Sequence, residues 1–244
     1  MMRGATRPFD SWDAIKLIAL ALMFVDHTGH FFYFREHWLR AIGRGAAPIF
    51  LFLAGYARSY RFKPDILLLA ILMGISDLLL DGHLRPQNIL FNILICRLIL
   101  GWMERRGKKI QRPYEWFLSC IAWLATNFLF HYGSFGLLFA ICGYMKKRGD
   151  EYPQKLQRNF WILTFVSYGL YSEWLGGFSA GNIILMSMTL AIVARLLWRL
   201  ELRPIDTKNW PQWLIKLAKF ISLYSGYIYA FHLIALEWLT GESF

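Results

Sequence analysis

Asp26, His27 and His30 interrupt the apolar segment LALMFVDHTGHFF at residues 20–32. A charged side chain at the centre of a lipid-exposed helix costs roughly 2.5–3.5 kcal/mol on insertion scales, so ionisable groups in such segments face a bundle interior, a cavity or a partner. A neutral imidazole there can take a proton from an attacking amine or hydroxyl. The next stretch, WLRAIGRGAAPIFLFLAGYARSY at residues 38–60, adds a permanent cation, Arg44, suited to holding a carboxylate or a developing oxyanion. Gly43, Gly45, Ala46 and Ala47 around it let helices approach closely, and Pro48 loosens the local hydrogen-bond ladder.

Helix geometry sorts these groups. Asp26 and His30 at i,i+4 share a face, as do His27 and His30 at i,i+3, whereas the adjacent Asp26 and His27 diverge by about 100°. Asp26 is therefore better placed to neutralise Arg44 on the following helix than to orient His27. Two readings stay open on the residues alone: a structural ion pair beside a helix-end histidine, or the base and cation of a reacting site.

The elements that must position them are apolar runs. Hydrophobic residues make up 57% and aromatics 18% of the 244 residues, and runs of about 15–22 apolar residues recur with charged segments between them. Spans are expected at 12–32, 40–58, 64–80, 87–103, 115–131, 134–145, 160–175, 179–200 and 214–240, with ends marked by prolines and by Gly176–Gly177. The expected class is all-α: a polytopic membrane helical bundle of about nine transmembrane helices, bounded by seven and ten, in a single domain over residues 1–244. The net charge of +11 is dispersed in short segments rather than gathered on one face, which argues against nucleic acid as a partner. Cys96, Cys120 and Cys142 lie in apolar runs without paired spacing and read as small core residues. The first apolar segment has no small-residue cleavage site and is expected to remain as a helix.

Sidedness follows from the basic residues. With the N-terminus inside, the inner segments carry 21 of the 27 lysines and arginines, so a cytoplasmic N-terminus is expected. The short segment 134–145 could instead form a re-entrant hairpin with its predecessor, which leaves sidedness unchanged. His27 then lies roughly 22 Å along the first helix and Arg44 about 5 Å into the second from the outer side, at similar depth. His27, His30, His37, His83, His131 and His232 all fall in the outer half, as a polar pocket open to the outside would require.

WDAIKLIALALMFVDHTGHFF followed by LRAIGRGAAPIFLFLAG resembles the N-terminal signature of the TraX family, membrane proteins typified by the conjugative F-pilin acetylase. QNILFNIL at 87–94, HYGSFGLLFAI at 131–141 and YIYAFHLIAL at 227–236 echo the family in order along the chain. The resemblance implies that Asp26 and His27 are its Asp-His motif, Arg44 the arginine of its Gly-Arg motif, and Tyr229 to His232 its Tyr-x-x-His pattern. Asn88, His131 and Tyr132 fall in the later echoes and His30 beside the first motif, and these four, with Tyr229 and His232, are candidate substrate-binding residues. One departure is His131, where many relatives are acidic.

The implied reaction is acetyl transfer from cytoplasmic acetyl-CoA to an outer acceptor, by resemblance the N-terminal amine of a pilin subunit, in a multi-pass protein of the bacterial inner membrane. Such a reaction needs a base, oxyanion donors and a site that holds both reactants. His27, Asp26 and Arg44 are the expected catalytic residues. Arg97 and Lys16 are expected to line an inner acetyl-CoA vestibule, since Arg97 lies near mid-membrane and needs a partner. Other classes are an O-acetyltransferase acting on an envelope glycan, which the same base would serve, and a transporter, whose usual inverted repeats are not seen. No metal is expected, because the histidines lack tight ligand spacing.

Overall fold

Asp10 sets the start of the first helix. Its side chain accepts from the Asp13 amide while the Asp13 carboxylate reaches back to the Asp10 amide, which satisfies two donors that a helix start leaves orphaned. From there α1 runs Ser11–Phe31. The computed structural model describes residues 7–33, 37–81, 88–107, 117 and 132–241. Within them the chain is all-helical, and its β pairing is an isolated bridge between Asp10 and Pro204. After α1 come α2 (His37–Gly43), α3 (Ala46–Tyr56), α4 (Pro64–Asp81), α5 (Ile89–Arg105), α6 (Gly133–Lys147), α7 (Gln154–Gly176), α8 (Ala180–Trp198), α9 (Gln212–Leu223) and α10 (Ser225–Thr240). Of these, α1 and α8 are long and apolar enough to cross a membrane.

Two expected spans are each two helices. The run at 40–58 breaks at Arg44–Gly45. Pro48, in the first turn of α3, has no N–H to offer the Arg44 carbonyl four residues back, and that carbonyl accepts the Tyr168 hydroxyl of α7 instead, at 3.2 Å. The run at 214–240 breaks at Tyr224, ahead of Ser225–Gly226, a pair that weakens helix continuity. The 134–145 segment belongs to a continuous 15-residue helix, α6, buried along most of its length. The span expected at 115–131 lies outside the described residues.

The centre of the bundle is α3, whose residues from Ala46 to Gly55 are buried except for the half-buried Phe50. It touches α1, α5 and α6; α10 packs between α1 and α4, α7 backs α6, and α8 closes against α2 and α7. The tightest seam is α3 on α6. A Cβ added at Gly55 would sit 1.7 Å from the Ala140 carbonyl oxygen, and one at Gly143 would sit 2.1 Å from the Phe52 carbonyl oxygen, so backbone meets backbone in both directions. Gly55→Ala is expected to destabilise the protein by about 3 kcal/mol, the upper end of the usual overpacking cost. Thermal melting in detergent reads this; an unchanged midpoint would mean the seam opens freely.

Two loops tie the helix ends. Tyr60 is buried, its hydroxyl donates to the Gly55 carbonyl at the end of α3, and burial pushes that hydroxyl above the usual phenol range, keeping it a donor. The start of α1 is held by the segment before α9: the Ser11 amide donates to the Arg203 carbonyl at 3.1 Å, and the Ile205 amide to the Phe9 carbonyl at 3.0 Å. Arg7 bonds the carboxylates of Asp10 at 2.5 Å and Asp13 at 2.6 Å, and Ser222 of α9 donates to Asp13 at 2.6 Å.

Candidate functional site

Gly43 brings α2 onto α1 at the level of Asp26. A Cβ there would lie 2.3–2.6 Å from the Asp26 Cβ, Cα and amide nitrogen, so only glycine admits this crossing. One residue on, where the helix breaks, Arg44 turns into the space beside Asp26. Asp26, Arg44 and Arg40 lie in one another's fields, and the Arg44 guanidinium hydrogen-bonds the Tyr132 hydroxyl. No ion pair within 4.0 Å joins Asp26 and Arg44 among the described residues. Asp26 is 5% exposed and its Oδ1 has no hydrogen-bond partner, and the Arg44 and Arg40 Nε atoms are buried without one. Two positive charges thus face one carboxylate, an arrangement able to receive further negative charge.

His27 occupies the neighbouring face of α1 and is 3% exposed. The last helix meets it there. The His232 ring stacks parallel on His27 at 5.3 Å, with Phe24 on its own flank at 4.1 Å, and the Tyr229 ring lies 5.9 Å from His27. The three-residue step between Tyr229 and His232 puts both on one face of α10, which is why one helix supplies both contacts. His232 Nε2 is buried with no hydrogen-bond partner.

A narrow recess opens beside this pair, with Asp26, His27, Asp77, Tyr132, Tyr229 and Glu237 among its walls. A second, roomier recess adjoins it; Phe50, Ile89 and Tyr229 line both. The second runs toward the start of α1 and carries Lys16, Lys63 and Arg97 with one carboxylate, Asp65. Among the described residues, the first has three carboxylates and no lysine or arginine in its lining. Tyr229 stands where the two recesses meet, 5.9 Å from the His27 ring.

The expected residues divide. Asp26, His27, Tyr132 and Tyr229 line the first recess, Arg44 reaches it through Tyr132, and His232 reaches it through His27. Asn88 also lines it, but its side chain caps α5 by accepting from the Leu90 amide at 3.1 Å and donates to the Ala70 carbonyl at 3.0 Å. His30 packs edge-on against Phe31 at 4.9 Å, a turn beyond the recess. Lys16 and Arg97 line the second recess with carbonyls already engaged: Lys16 bonds Ser222 at 3.1 Å, and Arg97 bonds Ser59 at 2.7 Å and Arg61 at 3.2 Å. His131 lies outside the described residues. Sequence reasoning missed Asp77, Glu237, Arg40 and Lys63. Asp77 and Glu237 sit inside the apolar runs ISDLLL and IALEWL, so the rule that singles out Asp26 would have found them.

A family model described as TraX protein matches residues 11–236. The chain is 24% identical over 235 residues to an uncharacterized protein of Rickettsia prowazekii (strain Madrid E), an alignment covering 93% of this chain and 91% of that one. It is 29% identical over 150 residues to Protein TraX of Escherichia coli, covering 59% of each chain. No solved structure matches.

Proposed function

The chain belongs to the TraX family, and from that premise we propose that it is an integral-membrane acetyltransferase, carrying an acetyl group from cytoplasmic acetyl-CoA to the N-terminal amine of a pilin subunit at the outer face of a bacterial inner membrane. The observation that carries this reading is a recess holding Lys16, Lys63 and Arg97 that adjoins, at Tyr229, the recess lined by the buried His27. A phosphorylated nucleotide carrier suits the one that holds Lys16, Lys63 and Arg97. The thioester then reaches the boundary at Tyr229, where His27 takes the acceptor's proton and Arg44, with Arg40 behind it, answers the charge of the tetrahedral oxyanion.

A multi-pass setting is supported by apolar side chains that face outward at helical spacing on several elements. Leu68, Ile71, Leu72, Ile75 and Leu79 do so on α4, and Ile184, Met188 and Ile192 on α8, each at least 39% exposed. Contiguous apolar stripes of this extent are what lipid covers. With the N-terminus cytoplasmic, the cationic recess opens inward and His27 lies in the outer half of the bilayer.

Intact mass of the pilin and of surface glycans, from cells with and without the gene, tests the proposal. One acetyl group gained on the pilin amine is the expected result. A gain on glycan instead would transfer the same chemistry to a hydroxyl acceptor. No gain on either would remove the enzymatic reading in favour of transport.

A further inference from the structure

We propose that Phe50 sets the length of acyl chain that the protein transfers and holds the donor to a short one, an inference that rests on the acetyltransferase reading above. Transfer moves the acyl group R–CO from sulfur to the acceptor: the C–S bond breaks, a C–N or C–O bond forms, and the acceptor's proton passes through His27 to the departing thiolate. The carbonyl carbon must therefore come to the His27 wall of the first recess while the carrier stays among Lys16, Lys63 and Arg97 in the second. The acyl tail then has two places to go: onward into the first recess, or back past the junction into the second.

One face of α3 runs along both recesses. Ala46 and Ala47 line the first, Leu53 and Ala54 line the second, and Phe50, three or four residues from each of them, lines both. The aromatic ring on this face thus falls at the junction, with small or aliphatic side chains to either side. Of the residues that the two recesses share, Ile89 and Tyr229 are 5% and 8% exposed, whereas Phe50 is half-buried and presents its side chain to the open space. That space is unequal: about 40 Å³ in the first recess and about 160 Å³ in the second. A water-sized group needs roughly 10–15 Å³ of such space, so the first has room for about three, which a carbonyl, a methyl and the attacking atom fill.

Binding and transfer separate as a result. The roomier side has an apolar wall of Leu53, Ile66, Leu69 and Ile93 on which a longer tail can lie. A butyryl thioester resting there is held by the same cations as acetyl-CoA, but its carbonyl stops short of His27, because the tail cannot follow it past the Phe50 ring. Truncating that ring joins the two spaces and lets the tail fold back as the carbonyl advances.

The test uses the purified protein, a short peptide beginning with L-alanine as acceptor, and the acetyl, propionyl and butyryl thioesters of CoA. On the unaltered protein, kcat/KM is expected to fall by about 10-fold or more for each added methylene, with the loss in kcat, while butyryl-CoA displaces radiolabelled acetyl-CoA as well as unlabelled acetyl-CoA does. This comparison needs no variant to fold. Phe50→Ala is expected to cut the preference for acetyl over butyryl by about 10-fold or more, and Phe50→Leu to cut it by less. Each preference is a ratio taken on one preparation, so a loss of folded protein cancels from it. Equal use of the acetyl and butyryl thioesters by the unaltered protein, failure of butyryl-CoA to displace acetyl-CoA, or an unchanged preference in whichever Phe50 variant folds would overturn the assignment alone. Absence of transfer from acetyl-CoA by the unaltered protein would overturn the acetyltransferase reading with it.

Discussion

His27→Ala is expected to slow acetyl transfer by about 10²–10⁴-fold, the span over which a positioned base is usually worth its place, with the protein still folded and still binding acetyl-CoA. The imidazole lies at the wall of the first recess between Tyr229 and His232, so truncating it enlarges a space that already exists rather than opening a new void in the core. The groups lining the cationic recess are untouched, so donor affinity should be retained. The measurement is transfer of radiolabelled acetyl at matched amounts of folded protein, with acetyl-CoA binding followed separately. Near-normal transfer would move the base elsewhere, and His232, whose ring is parallel to His27 at 5.3 Å, is the next residue to test.

Asp26→Asn is expected to destabilise the folded protein by about 3–5 kcal/mol, because it removes the carboxylate that offsets Arg44 and Arg40 and leaves buried positive charge uncompensated. Adding Arg44→Met removes that excess, while Arg40, which is half-buried, keeps access to solvent. The double variant should therefore recover its melting temperature. It should not recover transfer, since the oxyanion has then lost the guanidinium nearest to it. Melting and transfer measured on the same preparations separate the two roles: joint recovery would make the pair purely structural. The Arg44 hydrogen bond to Tyr132, which lines the recess, is what makes a split outcome the expected one.

The helices were largely legible because their limits are written in local chemistry. Pro64 marks the start of α4 by its missing donor and was read as such, whereas the caps that Asp10 and Asp13 give α1 and Asn88 gives α5 are equally local but were passed over. The breaks at Arg44–Gly45 and Tyr224 were not legible, since apolar runs at 40–58 and 214–240 pass through them without a change of hydropathy. Pro48 signals the first break only once Tyr168, on another helix, is known to take the carbonyl it frees. In the site, the proximity of Asp26 and Arg44 followed from depth along consecutive helices, and Tyr229 and His232 from family resemblance. Asp77 and Glu237 were passed over although each is an ionisable group inside an apolar run. What unites them with Asp26 is a recess assembled from α1, α4 and α10, and no spacing within one helix encodes that. Arg97 was read as a vestibule residue for lack of a partner in sequence; the loop carbonyls of Ser59 and Arg61 are partners that only the fold supplies.

The clamp on the start of α1 bears on how the molecule is made. Asp13 is held by Ser222, 209 residues later in the chain, and Ser11 by residues from 201 to 203. A ribosome delivers α1 well before these partners. Contacts of such long sequence separation form late, so the helix that carries His27 waits without its fastening, and without Tyr229 and His232, until the final helices emerge. A nascent chain halted before residue 200 would hold most of its bundle yet have no histidine stack and no Glu237 wall. Closure of the first recess is thereby coupled to arrival of the segments that carry Ser222, Tyr229 and His232.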